Sequence, residues 1–204
     1  MPADPDVPVS LALDAWLGRL AEPNGAPGGG SAAGVMMAVA AALLHMVCGY
    51  TGDDPRAAEA ERRVRELRGG SLDAAREDGV RSVALGEALA YDGPDRSDRV
   101  REAAVAAAAS SARLADLGVA LVDELRVVAE VGNPNLVADT GVAAQALRAG
   151  LGAALINLRA NTRLAGRHAG DDEDAAERAG ADAGERAERA IAEVDAVLAA
   201  LPVG

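Results

Sequence analysis

Lysine and phenylalanine are absent from this 204-residue chain, and cysteine and tryptophan each occur once. With no lysine, all 20 basic residues are arginine. That excludes a Schiff base, a P-loop lysine and a lysine general base. Cys48 has no partner for an intrachain disulfide, cannot form a multi-cysteine zinc site, and suits a reducing cytoplasm. The only aromatic residues are Trp16, Tyr50 and Tyr91, too few for a base-stacking surface. Acidic residues outnumber basic ones by 32 to 20, giving a net charge of −12 that opposes non-specific nucleic-acid binding. Met1 to Pro8 lacks the basic and apolar regions of a secretory signal, which again leads us to expect a cytoplasmic protein.

Half of the residues are hydrophobic, enough for one domain over residues 1–204. Ala32 to Leu44 contains no polar side chain, and only His45 interrupts the apolar run to Cys48. Its alanine and glycine content and lack of arginine flanks favour a helix buried on all sides over a membrane span.

Periodicity predicts an all-α, single-domain, up-and-down bundle of six helices. The first covers Ser10 to Leu20, the second runs from a capping Ser31 to about Tyr50, and a charged third spans Arg56 to about Ala90. The fourth follows Asp92-Gly93-Pro94 and reaches about Val131, a fifth covers Leu136 to Ala165, and an acidic sixth ends near Leu201. In the fourth, Val100, Ala104, Ala107, Ser111, Leu114, Gly118, Leu121, Leu125 and Val128 repeat at alternating four- and three-residue steps. Such a seam of small residues brings helices close together.

Three constellations carry chemistry. Pro27-Gly28-Gly29-Gly30-Ser31 opens the second helix, where small residues admit a ligand to the backbone and free N–H groups favour an anion or carbonyl. It is equally a flexible turn, and it fits neither a Walker A loop nor a dinucleotide fingerprint. Asn133, Asn135 and Asp139 cluster where the fifth helix starts, as caps or ligand contacts. Further along that helix Asn157 and Asn161 share a face, either tying helices together or meeting a polar ligand. Asp78 falls in register with Leu67, Ser71, Ala74, Leu85 and Ala88, which would bury a carboxylate and raise its pKa; shifted by one step, it would pair with Arg81 on the surface.

His45 reads as a satisfied core or interface residue and His168 as part of a solvated turn. Neither has a glutamate three residues before it, so the pattern of a ferritin-like metal centre is missing and no metal site is expected.

Taken in order, Pro27-Gly28-Gly29-Gly30-Ser31, Asn133-Pro134-Asn135, Asp139-Thr140-Gly141-Val142-Ala143-Ala144 and Asn157-Leu158-Arg159-Ala160-Asn161 resemble the formiminotransferase-cyclodeaminase C-terminal family over about Ser10 to Leu201. The resemblance implies an all-helical homodimer acting on a tetrahydrofolate derivative with no tightly bound cofactor. Methenyltetrahydrofolate cyclohydrolase is the first expectation and cyclodeaminase the second, because no formiminotransferase domain is present. It assigns acid–base work to Asp139, with Asp78 as a second candidate. Substrate contacts fall to Gly28, Gly29, Gly30, Ser31, Asn133, Asn135, Asn157 and Asn161.

The chain departs from the family pattern in three places. Gly49 replaces an asparagine, Gly52-Asp53-Asp54-Pro55-Arg56 replaces a lysine-rich turn, and Ser82 replaces the aromatic residue that follows the Glu77-Asp78 pair. These changes motivate an alternative, a homodimer that kept the fold as a scaffold or binds a ligand other than folate.

Overall fold

The computed structural model describes residues 13–23, 25–168 and 174–202, with side chains described throughout except at 174–179. Its helices are α1 (Leu13–Leu20), α2 (Gly29–Gly49), α3 (Pro55–Ala90), α4 (Arg96–Val131), α5 (Val137–Gly166) and α6 (Asp174–Ala200), with a 3₁₀ turn at Pro134–Leu136. No strand occurs among the described residues. Predicted and observed boundaries differ mainly at the ends, where capping competes with fraying. Residues 10–12 of the predicted first helix lie outside the described residues.

Local chemistry explains the breaks. Asp54 Oδ1 accepts the Arg56 N–H at 2.7 Å, and Pro55 occupies the first turn of α3, where its missing N–H leaves no donor unpaired. Pro134 cannot extend α4, and Asn133 Oδ1 instead accepts the Asn135 N–H at 3.0 Å. Ser31 departs from its expected role. The cap of α2 is Gly28, and Ser31 lies inside the helix with its hydroxyl donating to the Ala75 carbonyl at 2.9 Å. A first-turn serine facing α3 gains more from that interhelical bond than from bonding its own backbone.

Short connections make sequential helices antiparallel. α2 packs against α3, α4 and α5, α3 against α4, and α4 against α5, while α6 covers the α4–α5 side. Every residue of the predicted α4 seam is buried. Small residues bring α2 close to its neighbours. A Cβ on Gly34 would lie 2.7 Å from the Ser71 carbonyl oxygen, and one on Gly150 would lie 2.7 Å from Met37 Cγ. The bundle axis is thus set by alanine and glycine contacts, with Met37, Leu44, Leu114, Leu121, Leu147 and Leu151 filling the core.

Among the described residues three segments, Gly29–Gly49, Arg96–Val131 and Pro134–Gly166, are long and apolar enough to cross a membrane by length and composition. Between 44% and 50% of each apolar stretch is buried inside the bundle, so protein packing accounts for about half of that hydrophobicity. The rest of α2 and α5 includes exposed Val39, Met46, Val142 and Ile156.

Candidate functional site

The start of α2 meets α3 at Asp78. This carboxylate is 5% exposed, and its Oδ2 has no hydrogen-bond partner. The periodicity that predicted burial therefore applies, and the alternative surface pair does not form. Arg81 instead approaches Glu77 at 3.5 Å, and Glu77 also binds Arg113 at 2.7 Å. Burial pushes the Asp78 carboxyl up to about 6, against the opposing effect of hydrogen bonds from the Ser31 N–H and the Ser82 hydroxyl. A buried carboxyl group that titrates near neutrality and keeps one oxygen unpartnered is suited to proton exchange.

The glycines make this contact possible. A Cβ on Gly30 would lie 2.2–2.5 Å from the three carboxyl atoms of Asp78. One on Gly29 would lie 3.4 Å from Asn157 Nδ2, linking α5 to the same place. Asn157 Nδ2 donates to the Ala153 carbonyl at 2.9 Å, and one turn on, Asn161 Nδ2 reaches Ser111 Oγ at 3.4 Å. Gly28, Gly29, Gly30, Ser31, Asp78 and Asn157 thus converge, while Asn161 also ties α5 to α4.

Two expectations about this end change. The N–H groups at the start of α2 are expected to receive an anionic or carbonyl part of a ligand, but the chain's own Asp78 carboxyl is packed against Gly30 in that first turn. The helix dipole and the carboxylate offset each other there, leaving a site better matched to a cationic or neutral group. Ser82, absent from the expected site residues, stands one turn from Asp78, and its Oγ lies 4.0 Å from the position of a Cβ on Gly28. Its spacing of four residues from Asp78 on one helix was the available signal.

Asn133, Asn135 and Asp139 sit elsewhere. Asn133 Nδ2 donates to the Tyr50 carbonyl at 2.9 Å, and its backbone N–H reaches Thr51 Oγ1 at 3.1 Å, fixing the α4–α5 turn to the end of α2. Nearly the whole of α2 separates this cluster from Gly30, about 30 Å at the usual helical rise. Asp139 lies partly exposed in the first turn of α5. Within one chain the predicted site is therefore split into two clusters at opposite ends of the bundle.

Both histidines have partners within the fold. His45 Nε2 lies 3.1 Å from Glu61 Oε1, and His168 Nδ1 lies 3.0 Å from Ser97 Oγ. Burial, with Glu61 and Glu124 nearby, pushes the Cys48 thiol up to about 11 and keeps it protonated. Among the described residues no group of three or more His, Cys, Asp or Glu side chains could hold a metal ion.

The formiminotransferase-cyclodeaminase family model matches residues 12–178. This chain belongs to that family. A methenyltetrahydrofolate cyclohydrolase from Methylorubrum extorquens is 30% identical over 170 residues, covering 74% of this chain and 79% of the relative. The fold matches a formiminotetrahydrofolate cyclodeaminase from Thermotoga maritima, with a TM-score of 0.78 and 23% identity over 93% of this chain and 96% of that one. The all-α architecture expected from helix periodicity is therefore the family's own. Within it, the approach of Gly29 to Asn157 joins two stretches of the chain that carried the family resemblance.

Proposed function

We propose that this chain is a tetrahydrofolate one-carbon enzyme, a methenyltetrahydrofolate cyclohydrolase with Asp78 as its acid–base residue. The observation that carries the reading is the buried Asp78 carboxyl, one oxygen unpartnered, pressed against Gly30 at the start of α2. The relative named as a cyclohydrolase supports the same reaction.

The chemistry suits such a group. The methenyl carbon of the substrate bridges two folate nitrogens and shares their positive charge, which a carboxylate stabilises. Water forms a bond to that carbon and gives a proton to Asp78, leaving a tetrahedral carbon. Protonated Asp78 then returns the proton to one nitrogen, the bond between that nitrogen and carbon breaks, and the hydroxyl proton leaves to water. A formyl group remains on the other nitrogen, and one proton is released overall. A carboxyl group with a pKa of about 6 can take both roles near neutral pH. Asn157 and the Gly28–Ser31 backbone would orient substrate or water, with no tightly bound cofactor.

A homodimer in the cytoplasm completes the proposal. Val39 and Met46 on α2, with Val142 and Ile156 on α5, leave an apolar face that a second copy can cover. Asp139 and Asn157 lie 18 residues apart on α5, five helical turns, so they share one side of the helix about 27 Å apart. A two-fold axis across the middle of that face would bring the Asp139 end of one protomer to the Asn157 end of the other. Asn133, Asn135 and Asp139 would then complete the partner's site.

The test is hydrolysis of methenyltetrahydrofolate by purified protein, followed by loss of the methenyl chromophore. Turnover above the uncatalysed rate is expected. Release of ammonia from formiminotetrahydrofolate without methenyl hydrolysis would replace the proposal with cyclodeaminase activity. No turnover of either substrate at saturation would overturn it in favour of a ligand other than folate.

A further inference from the structure

Two of the three aromatic side chains are occupied within the fold. Trp16 is buried, and the Arg99 guanidinium lies 4.1 Å from the centre of the Tyr91 ring. Tyr50, which caps the C-terminal end of α2, is 67% exposed. A Cβ on either nearby glycine, Gly49 or Gly52, would meet nothing within 4 Å, so the space beside Tyr50 is open.

The backbone there is pinned. The Tyr50 carbonyl accepts from Asn133 Nδ2 at 2.9 Å. Thr51 Oγ1 accepts the Asn133 N–H at 3.1 Å and donates to the Val47 carbonyl at 2.7 Å. These bonds hold Tyr50 against the turn that carries Asn133 and Asn135, with Asp139 one helical turn further on. They use the tyrosine's main chain alone and leave its ring for contact with something outside the fold.

The substrate of the proposed reaction has a flat fused ring system whose methenyl bridge carries a delocalised positive charge. An aromatic face matches both properties, since it stacks on the ring and its π-surface attracts the cation. The Asp78 end of the site supplies no such face among Gly28, Gly29, Gly30, Ser31 and Asn157. Tyr50 stands about 30 Å from Gly30 along α2 at the usual helical rise. The two-fold arrangement that joins the Asp139 end of one protomer to the Asn157 end of the other also brings its Tyr50 to the other's Gly30 end.

We infer that Tyr50 is a substrate-contact residue acting across the dimer, its ring stacking on the charged fused rings of a substrate held at the partner's Asp78. The inference rests on the proposed folate reaction and its dimer, and adds the residue that recognises the ring. The positive charge disappears as water adds to the methenyl carbon, so the contact favours bound substrate at least as much as the transition state. Its loss should appear in KM and not in kcat.

Steady-state kinetics and subunit exchange test this. Tyr50→Ala keeps the carbonyl that binds Asn133 and changes an exposed position, so its melting temperature should stay close to that of the wild type. Its KM for methenyltetrahydrofolate should rise about tenfold with kcat changed less than about twofold. Tyr50→Phe should restore the KM, because it keeps the ring. Well below KM, an equal mixture of Tyr50→Ala and Asp78→Asn proteins should rise from about one-twentieth of wild-type turnover before exchange to about a quarter after it, because half of the dimers then hold one site with both residues. A wild-type KM in Tyr50→Ala, failure of Tyr50→Phe to restore it, or no rise after verified exchange would overturn the inference and leave the folate reaction standing. No turnover by the wild type would refute the proposed reaction, and the inference with it.

Discussion

Gly30 leaves no room between α2 and Asp78, since a Cβ there would lie 2.2 Å from Oδ1. The glycine is a spatial requirement of the carboxyl's position. Gly30→Ala should therefore displace the Asp78 side chain or push α2 from α3, lowering kcat by about 10²-fold or more, in the range of lost general acid–base catalysis. Gly28→Ala, whose new methyl would meet nothing closer than 3.8 Å, should have a much smaller effect. Steady-state kinetics and thermal melting of the two variants make the comparison. Equal losses in both would remove the distinction.

Asp78 also makes stability depend on pH. Its folded pKa of about 6 lies above the ordinary value of 3.8, so the folded state binds more protons than the unfolded chain between those limits. Stability should therefore fall as pH rises from about 4 to 6 and stay reduced above 6, by about 2–3 kcal/mol for this group alone. Asp78→Asn should remove that dependence and stabilise the protein at pH 7 while turnover falls by about 10²–10⁴-fold. Urea denaturation across this pH range, on wild type and variant, measures the difference. Parallel pH profiles would contradict the assignment.

Complementation tests a site shared between protomers. Asp139→Asn retains capping ability, so helix and dimer should persist while turnover falls. Asp78→Asn and Asp139→Asn proteins, each impaired alone, form mixed dimers in which one of the two sites keeps both carboxylates. Random exchange makes half of the dimers mixed, so activity should recover to about a quarter of wild type. No recovery after verified subunit exchange would confine each site to a single chain.

Ile156 is 70% exposed in the isolated chain. Ile156→Arg should leave the monomer folded, because a surface position tolerates charge, but should force a charged side chain from each protomer into the apolar face of the proposed interface. Sedimentation at micromolar concentration should show the wild type as a dimer and the variant as a monomer. A variant that remains dimeric would move the interface elsewhere.

The helices and their buried faces followed from the sequence, because helical periodicity reports directly which side of a helix is apolar. It picked out the α4 seam and the burial of Asp78, and proline with asparagine or aspartate marked the turns at Pro55 and Pro134. Periodicity is silent on height, that is, on which level of one helix stands opposite which level of its neighbour. That register arises from the turn lengths and from close contacts at Gly34 and Gly150, which involve residues far apart in the chain. Only the tertiary structure could therefore set Gly30 against Asp78 and turn Ser31 from a cap into a bond to Ala75. The same register sends Asn133, Asn135 and Asp139 to the far end of α2, because antiparallel helices joined by short turns place the beginning of α5 beside the end of α2.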